Sequence, residues 1–549
     1  MLALPFALAP LRELTPDQLR AALLRFLPAD STPEQRTTTV ESFLNGPAGP
    51  TLRSEMGRWI VDHTVPVHAL VPRQYQHLRP LVRDAMRFEV LHLSSHRLAP
   101  KLVEQIELPA TTSPEKRLFL LIAKVPGLQK LGQVLARNRH LKPSLRNTLS
   151  KLENGIRDVS HAEILTVIRR ELGPKIGEFD IQVSSAILSE ASVSAVVRFT
   201  WRDPESDERR RGVFKVLKPH IRGYFGEDMD LLHRMANYLG AQHEEYGYAP
   251  RVIQDTFKKV RQLLEHEVDF SGEQRTLLEA ARCYRNITGV RIPLPIAQLC
   301  TPMVTAMTEQ PGAKVTNAAK RLKPGARKKL AERLTEALIA APLCTPEDVA
   351  MFHGDPHAGN LLFDTKSGDL SLIDWALTER LTRDQRRHLA LLVAMVAMRN
   401  PVAVCNEIHA LADHRLSSRQ DAMTRHYTAS FLACLPLVRR PQLTDAMQLL
   451  ERISLRGVRF PSSLIMFSKV MFTLDGILED IRGSSTIGTR VARNFLHRWL
   501  SRGVPFGAPL ATADWLNIFA NALIYGGKVA VELEHRLLTR YMDLQSQPA

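Results

Sequence analysis

The sequence predicts an α+β chain: a small lobe built on an antiparallel sheet, a larger and mostly helical lobe, and helical extensions on both sides. Three observations carry this. DIQVSSAILSEASVSAVVRFTW (180–201) alternates and is rich in β-branched residues, VFKVLK (213–218) is a second such run, and the polar turn RDPESDERRRG (202–212) lies between them. LLF (361–363) and LSLI (370–373) read as short buried strands joined by the turn TKSGD (365–369). Nearly everything else shows apolar residues at helical spacing.

Taken in order, residues 1 to about 110 read as helical, as in DQLRAALLRFL (17–27), and the pattern continues through 113–173. Sheet follows from about 180, then helix over roughly 226–286. IPLPIAQLC and PMVTAMTEQPG (292–312) predict a further strand pair, and helix returns over about 323–341 before the LLF/LSLI hairpin. From 383 onward the chain reads as amphipathic helix, broken at Pro401, Pro436 and GVRFPSS (457–463). No internal repeat is visible.

The 549 residues imply several domains, roughly three or four of about 150 residues. A composition of 44% hydrophobic and 24% charged residues is that of a globular chain rather than a disordered or fibrous one. The net charge of +16 favours anionic partners such as nucleotides or acidic lipid head groups, or else a solvated basic surface. Nucleic acid is disfavoured, because aromatics are not interleaved with the basic runs ERRRG (208–212) and KRLKPGARKK (320–329). Cys283, Cys300, Cys344, Cys405 and Cys434 form no CxxC pair, and predict reduced, mostly buried thiols of a cytoplasmic protein. MLALPFALAP lacks the basic start of a signal peptide. The apolar stretch 507–534 is interrupted by Asp514, Asn517 and Asn521, which favours a packed helix over a membrane segment.

The chemistry concentrates in HGDPHAGNLLFDTKSGDLSLIDWA (353–376). The hairpin delivers Asp355 and Asn360 in the loop before it and Asp374 just after it, so three oxygen-bearing side chains meet at one end of a small sheet. Mg²⁺ takes such hard ligands and shares them with a nucleotide's phosphates. In phosphoryl transfer one Asp orients or deprotonates the nucleophile, while an Asn and a second Asp hold the metal. Asp355 and Asn360 have the D-x-x-x-x-N spacing of kinase catalytic loops, and Asp374 opens D-W-A where kinases commonly have D-F-G. Two other readings exist: capping aspartates in ordinary turns, and a transition-metal site of His353, Asp355 and His357, for which a further ligand set is missing. Such a site also needs a lysine on a small-lobe strand and a helix carboxylate. Lys215, central in VFKVLK, is favoured over Lys218, which sits at the strand's end beside Pro219. Glu267, Asp269 and Glu273 are the candidate carboxylates, expected within two turns of one helix.

Taken alone, HGDxHxGN followed by IDW is also similar to small-molecule kinases of the aminoglycoside and choline type. Over about 124–385, however, the chain resembles the UbiB/AarF/ADCK group of atypical kinases. KLGQ (130–133) matches that group's K-x-G-Q signature, and SEASVSAVV (189–197) stands at its alanine-rich nucleotide loop. VFKVLKPHI (213–221) matches the strand bearing its phosphate-binding lysine, EVDF…E (267–273) its E-x-D-[FY]-x-x-E segment, and CTPMVTAMTEQPG (300–312) its hinge strand.

The resemblance implies a bilobal protein kinase-like fold, with an extension over 1–110, a core over 111–390 and a helical region over 391–549. Within the core it implies a KxGQ helix at 124–158, a small lobe over about 175–312 and a large lobe from about 313. It implies an enzyme using ATP and Mg²⁺, with Asp355 as catalytic base or nucleophile-orienting residue, Asn360 and Asp374 on the metal, and Lys215 on the phosphates. Lys130 and Gln133 would lie across the active site against the ExD segment of Glu267, Asp269 and Glu273. Ala191 and Ser192 would border the nucleotide, and Met307 to Glu309 the adenine. The partner class implied is an isoprenoid lipid or quinone precursor, and the basic charge adds peripheral contact with an anionic membrane. The alternative of another class is a nucleotide-responsive scaffold or lipid-binding protein with little catalysis.

The chain departs from the family pattern, and the departures at Glu190 and Trp375-Ala376 are what favours the scaffold alternative. Glu190 replaces an alanine of the nucleotide loop, Ser194-Ala195 stand where Gly-Gln is usual, and Trp375-Ala376 replace Phe-Gly. A carboxylate beside triphosphate would repel it by about 4 kcal/mol at about 4 Å and an effective dielectric of about 20. Glu190 is therefore expected either to turn to solvent or to weaken nucleotide binding. Losing the glycine is expected to restrict the backbone after Asp374.

Overall fold

The computed structural model describes residues 31–122 except 66, 68–70, 72–75, 77–78 and 110, residues 159–436 except 248–249, residues 443–481, and scattered positions outside these (18, 21, 125, 127, 510–511, 513–518, 520–522). Lys130, Gln133 and the rest of the KLGQ motif lie outside the described residues, as does most of 507–534.

The chain is α+β, as its pattern predicts. Helices α1 (Pro33–Asn45), α2 (Gly49–Arg58), α3 (Arg79–His92), α4 (Ser95–Glu107) and α5 (Pro114–Ile122) come first, and α6 (His161–Leu172) precedes the strands. Strands β1 (Gln182–Glu190), β2 (Ser194–Arg202) and β3 (Arg209–Leu217) lead to α7 (Pro219–Ala241), α8 (Pro250–Val268) and α9 (Phe270–Tyr284). Short strands β4 (Val290–Arg291), β5 (Val304–Thr308) and β6 (Ala313–Lys314) follow, then α10 (Val315–Arg321) and α11 (Pro324–Thr335). Strands β7 (Val349–His353), β8 (Leu361–Phe363), β9 (Leu370–Leu372) and β10 (Thr378–Thr382) come next. The chain continues with α12 (Arg383–Ala397), α13 (Pro401–Leu411), α14 (Ser418–Cys434), α15 (Leu443–Ser454) and α16 (Ser462–Asp480). Element ends have local causes. Ser160 and Glu163 form a reciprocal capping box at α6, and Thr382 and Gln385 another at α12. Pro219, lacking an N–H, stops β3 and opens α7.

Two compact units result, Met1–Ser271 with Ile296–Ala306 and Gly272–Pro295 with Met307–Ala549. The first contains an antiparallel meander, with strand order β1-β2-β3-β5. The period of two places Ala195, Val197, Phe199, Phe214 and Val216 on one face, where they are buried against Ile164, Val167 and Ile168 of α6. Phe199 and Phe214 stack across β2 and β3 with ring centroids 3.7 Å apart. A second core joins the N-terminal helices to α7 and α8 through residues such as Ile60, Leu98, Met235 and Leu264.

The second unit has a four-stranded sheet of order β4-β9-β8-β6 and a β7–β10 ribbon. The predicted hairpin is present in the register Leu361↔Leu372, Leu362↔Ser371 and Phe363↔Leu370. Asp364 builds its turn by accepting bonds from the Lys366 N–H and the Ser367 hydroxyl, and Gly368 supplies the positive φ of 74°. One apolar core runs from Leu361, Leu370 and Phe352 to Leu389, Phe467 and Leu474, so helices past residue 400 share it with the hairpin.

Four expectations need correction. IPLPIAQLC is no strand: it makes one bridge, Pro295 to Met307, and a 3₁₀ turn at Ala297–Leu299, because prolines 293 and 295 cannot donate to a ladder. Glu267, Asp269 and Glu273 do not share one helix, since α8 ends at Val268 and α9 starts at Phe270, with Asp269 at the break. An Asp before a first helical residue is a favoured N-cap type. The turn RDPESDERRRG is shorter than read, because Arg209 to Arg211 already belong to β3. The cysteines are free thiols, but only Cys344 and Cys405 are buried, with Cys283 and Cys434 exposed.

Candidate active site

In the second unit the catalytic-type residues are fixed by backbone and imidazole hydrogen bonds. β7 runs antiparallel to β10 and ends at His353, which is fully buried. Gly354 follows, donating its N–H to Leu377 O at 2.9 Å. A Cβ there would lie 3.0 Å from Leu377 Cγ and 3.1 Å from Leu377 O, so the close strand approach favours glycine. The Asp355 N–H donates to His353 Nδ1 at 3.1 Å, and His353 Nε2 lies 3.0 Å from Ile373 O. The imidazole is therefore the neutral Nε2–H tautomer, and burial holds its pKa below the ordinary value. It ties the start of the Asp355 loop to the residue before Asp374.

Both ring nitrogens of His353 are thus used within the protein, which removes it as a metal ligand. His357 Nδ1 accepts from the Gly359 N–H at 3.0 Å and caps the 3₁₀ turn Ala358–Asn360. Among the described residues no group of three or more His, Cys, Asp or Glu could hold a metal ion.

Asn360 is buried and donates Nδ2 to Asp355 O at 3.2 Å, while its own carbonyl accepts from the Ile373 N–H at 2.9 Å. With the amide nitrogen committed inward, Oδ1 is the atom that Asn360 can offer to a cation. Asp374 has φ 61°, in the left-handed region that Asp tolerates better than most residues. The reversal thus falls on Asp374 itself and not on Ala376, which is not among the positive-φ residues, so the missing glycine does not restrict this turn. Trp375 is fully buried, donates Nε1–H to Leu372 O at 3.0 Å, and meets the Tyr284 ring edge-on at 5.3 Å. It is a core plug behind the turn. Hard-oxygen donors at Asn360 and Asp374 fit Mg²⁺ better than a soft metal.

A further cation stands at Asp355. Lys469, on α16, places Nζ 3.4 Å from Asp355 Oδ1. Sequence reasoning missed it, although MFSKVMF (466–472) sets one lysine in an apolar helical run, which is a signal in itself.

In the first unit Lys215 lies on β3, on the face opposite Phe214 and Val216, and its Nζ is 5.5 Å from the centre of the Phe270 ring. Lys218 is different. Its side chain is fully buried, with Nζ 3.3 Å from Glu190 Oε2. Glu190, with a side chain 5% exposed, does not turn to solvent, the first of the two outcomes expected of it; it is paired with Lys218 inside the protein. The loop between β1 and β2 is also held through its backbone, by Lys218 N–H to Val193 O at 2.9 Å and Ala191 N–H to Ser194 O at 2.8 Å. Ser192 Oγ donates to Glu267 Oε2 at 3.3 Å, so the ExD segment reaches the loop through a hydroxyl. Asp269 follows that contact at the helix break.

Glu273 belongs to the second unit, where it is buried in the first turn of α9. Met307, on β5, pairs with Pro295, and Glu309 follows the strand. No helix among the described residues is long and apolar enough to cross a membrane.

Residues 151–408 match the ABC1 atypical kinase-like domain. The chain is 28% identical over 269 residues to the Arabidopsis thaliana chloroplastic protein Activity of BC1 complex kinase 1, a match covering 48% of this chain and 37% of that protein. It is 22% identical over 390 residues to the probable protein kinase UbiB of Pasteurella multocida, covering 68% of this chain and 71% of that one. The solved complex of Rv3197 with erythromycin from Mycobacterium tuberculosis is similar at a TM-score of 0.45 and 17% identity, over 66% of this chain and 89% of that one, too slight a likeness to argue from. Residues 151–408 are thus a domain of the ABC1/UbiB atypical kinase-like family, within the protein kinase-like superfamily.

Proposed function

We propose that this chain binds Mg-ATP and transfers or hydrolyses its terminal phosphoryl group. The observation that carries the reading is the His353 crosslink, which fixes Asp355 and the approach to Asp374 together and leaves Asn360 presenting an oxygen. Asp355 orients the acceptor hydroxyl or water and takes its proton, and Asn360 and Asp374 hold the metal. Mg²⁺, when bound, neutralises phosphate charge and draws electron density from the bond that breaks. Lys215 neutralises the non-transferred phosphates, Ala191 and Ser192 border them, and Met307 to Glu309 meet the adenine. Lys130 and Gln133, with Glu267, Asp269 and Glu273, exclude a peptide-sized acceptor, which favours a small molecule. An isoprenoid lipid or quinone precursor is the acceptor class that the family resemblance indicates.

Two departures that favoured a non-catalytic scaffold have local explanations, in the Glu190–Lys218 pair and the core position of Trp375, and this supports the catalytic reading. The test is a thermal shift with ATP or ADP, with and without Mg²⁺, alongside ADP release, on wild type and Asp374→Asn. Nucleotide at 100-fold its dissociation constant should stabilise by about 2.7 kcal/mol. A Mg²⁺-dependent shift and turnover, both lost in the variant, are expected. A nucleotide shift without turnover would favour the scaffold, and no shift at millimolar nucleotide would overturn nucleotide binding.

A further inference from the structure

Asp355 is held at each of its polar groups by a different element. Its N–H donates to His353 at the end of β7, and its carbonyl accepts from Asn360 of the 3₁₀ turn. Its carboxylate meets Lys469 of α16 at 3.4 Å. The third anchor comes from 114 positions along the chain, and from beyond residue 408, where the matched family domain ends.

Lys469 is placed by packing. Phe467, two residues before it, is fully buried and meets Phe352 of β7 edge-on at 5.3 Å, with an interplanar angle of 86°. Val470 and Met471, just after it, are fully buried in the same core. The helix therefore cannot rotate or slide without opening that core, and the lysine is carried to the end of the strand that its own helix packs against. Its side chain is 40% exposed and that of Asp355 is 25% exposed. Ion pairs this accessible to water contribute little to folding, so stability does not account for the arrangement.

We propose that Lys469 is a positioning residue for Asp355. Its ammonium fixes the carboxylate torsion, so that the oxygen facing the acceptor is set before the acceptor arrives, and it offsets the repulsion between that carboxylate and an incoming phosphoryl group. The inference rests on the phosphoryl-transfer reading above. It also gives the C-terminal helical region a task in the chemistry: α16 completes the centre from outside the family domain.

The experiment uses the full chain and compares wild type, Lys469→Met, Lys469→Arg and Asp374→Asn by ADP release and nucleotide-induced thermal shift. Lys469→Met is expected to lower kcat roughly 10- to 100-fold, the scale set by misplacing a catalytic group by about 1 Å, while the KM for ATP stays within about twofold. The nucleotide shift should persist, and Lys469→Arg should recover most of kcat. A kcat within about twofold of wild type in Lys469→Met, with Asp374→Asn inactive, overturns this inference alone. Equal losses in the Met and Arg variants, accompanied by a fallen thermal midpoint and a lost nucleotide shift, show a merely structural role and also overturn it. Wild-type turnover that is absent, or that survives Asp374→Asn, overturns the reading beneath it and this inference with it.

Discussion

Glu190 offers a sharp test of how the loop between β1 and β2 is held. Replacing it with alanine would restore the residue that the resembled family has at this position, and on sequence alone should help nucleotide binding. The structure predicts the opposite first effect. The Glu190 carboxylate lies 3.3 Å from Lys218 Nζ with both side chains buried, and at an effective dielectric of about 20 their attraction is about 5 kcal/mol. Glu190→Ala leaves a buried ammonium without this carboxylate, and removal of one partner from such a pair costs about 3–5 kcal/mol. Replacing both, as Glu190→Ala with Lys218→Met, removes the charge with its partner and should return stability to within about 1 kcal/mol of wild type. For a unit of this size the single variant should melt roughly 6–20 °C lower. Hydrogen-exchange mass spectrometry on peptides spanning β1 to β3 would locate the loss, and the double-mutant cycle would give the coupling. A single variant within about 1 kcal/mol of wild type, or a double variant no better than the worse single, would refute the reasoning.

Three further expectations follow from the same geometry. Asp374 sits at φ 61°, so Asp374→Gly should leave the fold as stable or raise it by up to about 1 kcal/mol while abolishing any Mg²⁺-dependent nucleotide shift, a split that urea unfolding and thermal shift would read separately. Trp375→Phe, which restores the commoner residue, should destabilise by about 1–2 kcal/mol, since it removes the bond to Leu372 O and leaves space beside Tyr284. Glu89 on α3 is pushed up to about 7, chiefly by burial and then by Asp228, against the pull of Lys101 and Arg97 and with Glu227 adding to the rise. Its folded value exceeds the unfolded one, so the stability it contributes is full below about pH 4.5 and is lost as pH rises through about 7, amounting to about 3 kcal/mol. Exchange rates of α3 amides between pH 5 and 8 should show this slope, and Glu89→Gln should flatten it.

What the sequence disclosed and what it withheld divide by distance along the chain. The hairpin was legible because LLF, TKSGD and LSLI are contiguous, and the turn chemistry of Asp364 and Gly368 acts within five residues. Lys215 was preferable to Lys218 because it is central in VFKVLK while Lys218 adjoins Pro219, and in the structure Lys215 lies within β3 whereas Lys218 falls just past its end. The fate of Glu190 was not legible. It is decided by a lysine at the far end of β3, and no local pattern announces a pair made across a three-stranded meander. The break at Asp269 was hidden for a related reason: ExD reads as helical on both sides, and one interrupted residue leaves the periodicity intact. Lys469 was farthest from view, since its meaning depends on which strand Phe467 packs against.

The hairpin's compactness also bears on the order in which the second unit assembles. β8 and β9 are joined by a short turn, and hairpins of this kind close on the order of 1–10 μs. β4, by contrast, docks in parallel on β9 from far upstream, and Lys469 must be brought back across 114 positions. Loop closure makes such distant pairings slower. Folding should therefore present Asn360 and Asp374 on a formed hairpin early, with α16 arriving late. Weakening the hairpin, as in Leu370→Ala, should slow refolding, whereas Phe467→Ala should mainly quicken unfolding, and stopped-flow traces giving the reverse pattern would refute this order. Asn360 and Asp374, the residues proposed to hold the cation, would then be poised while the chain is still closing around them, before α16 seals the core.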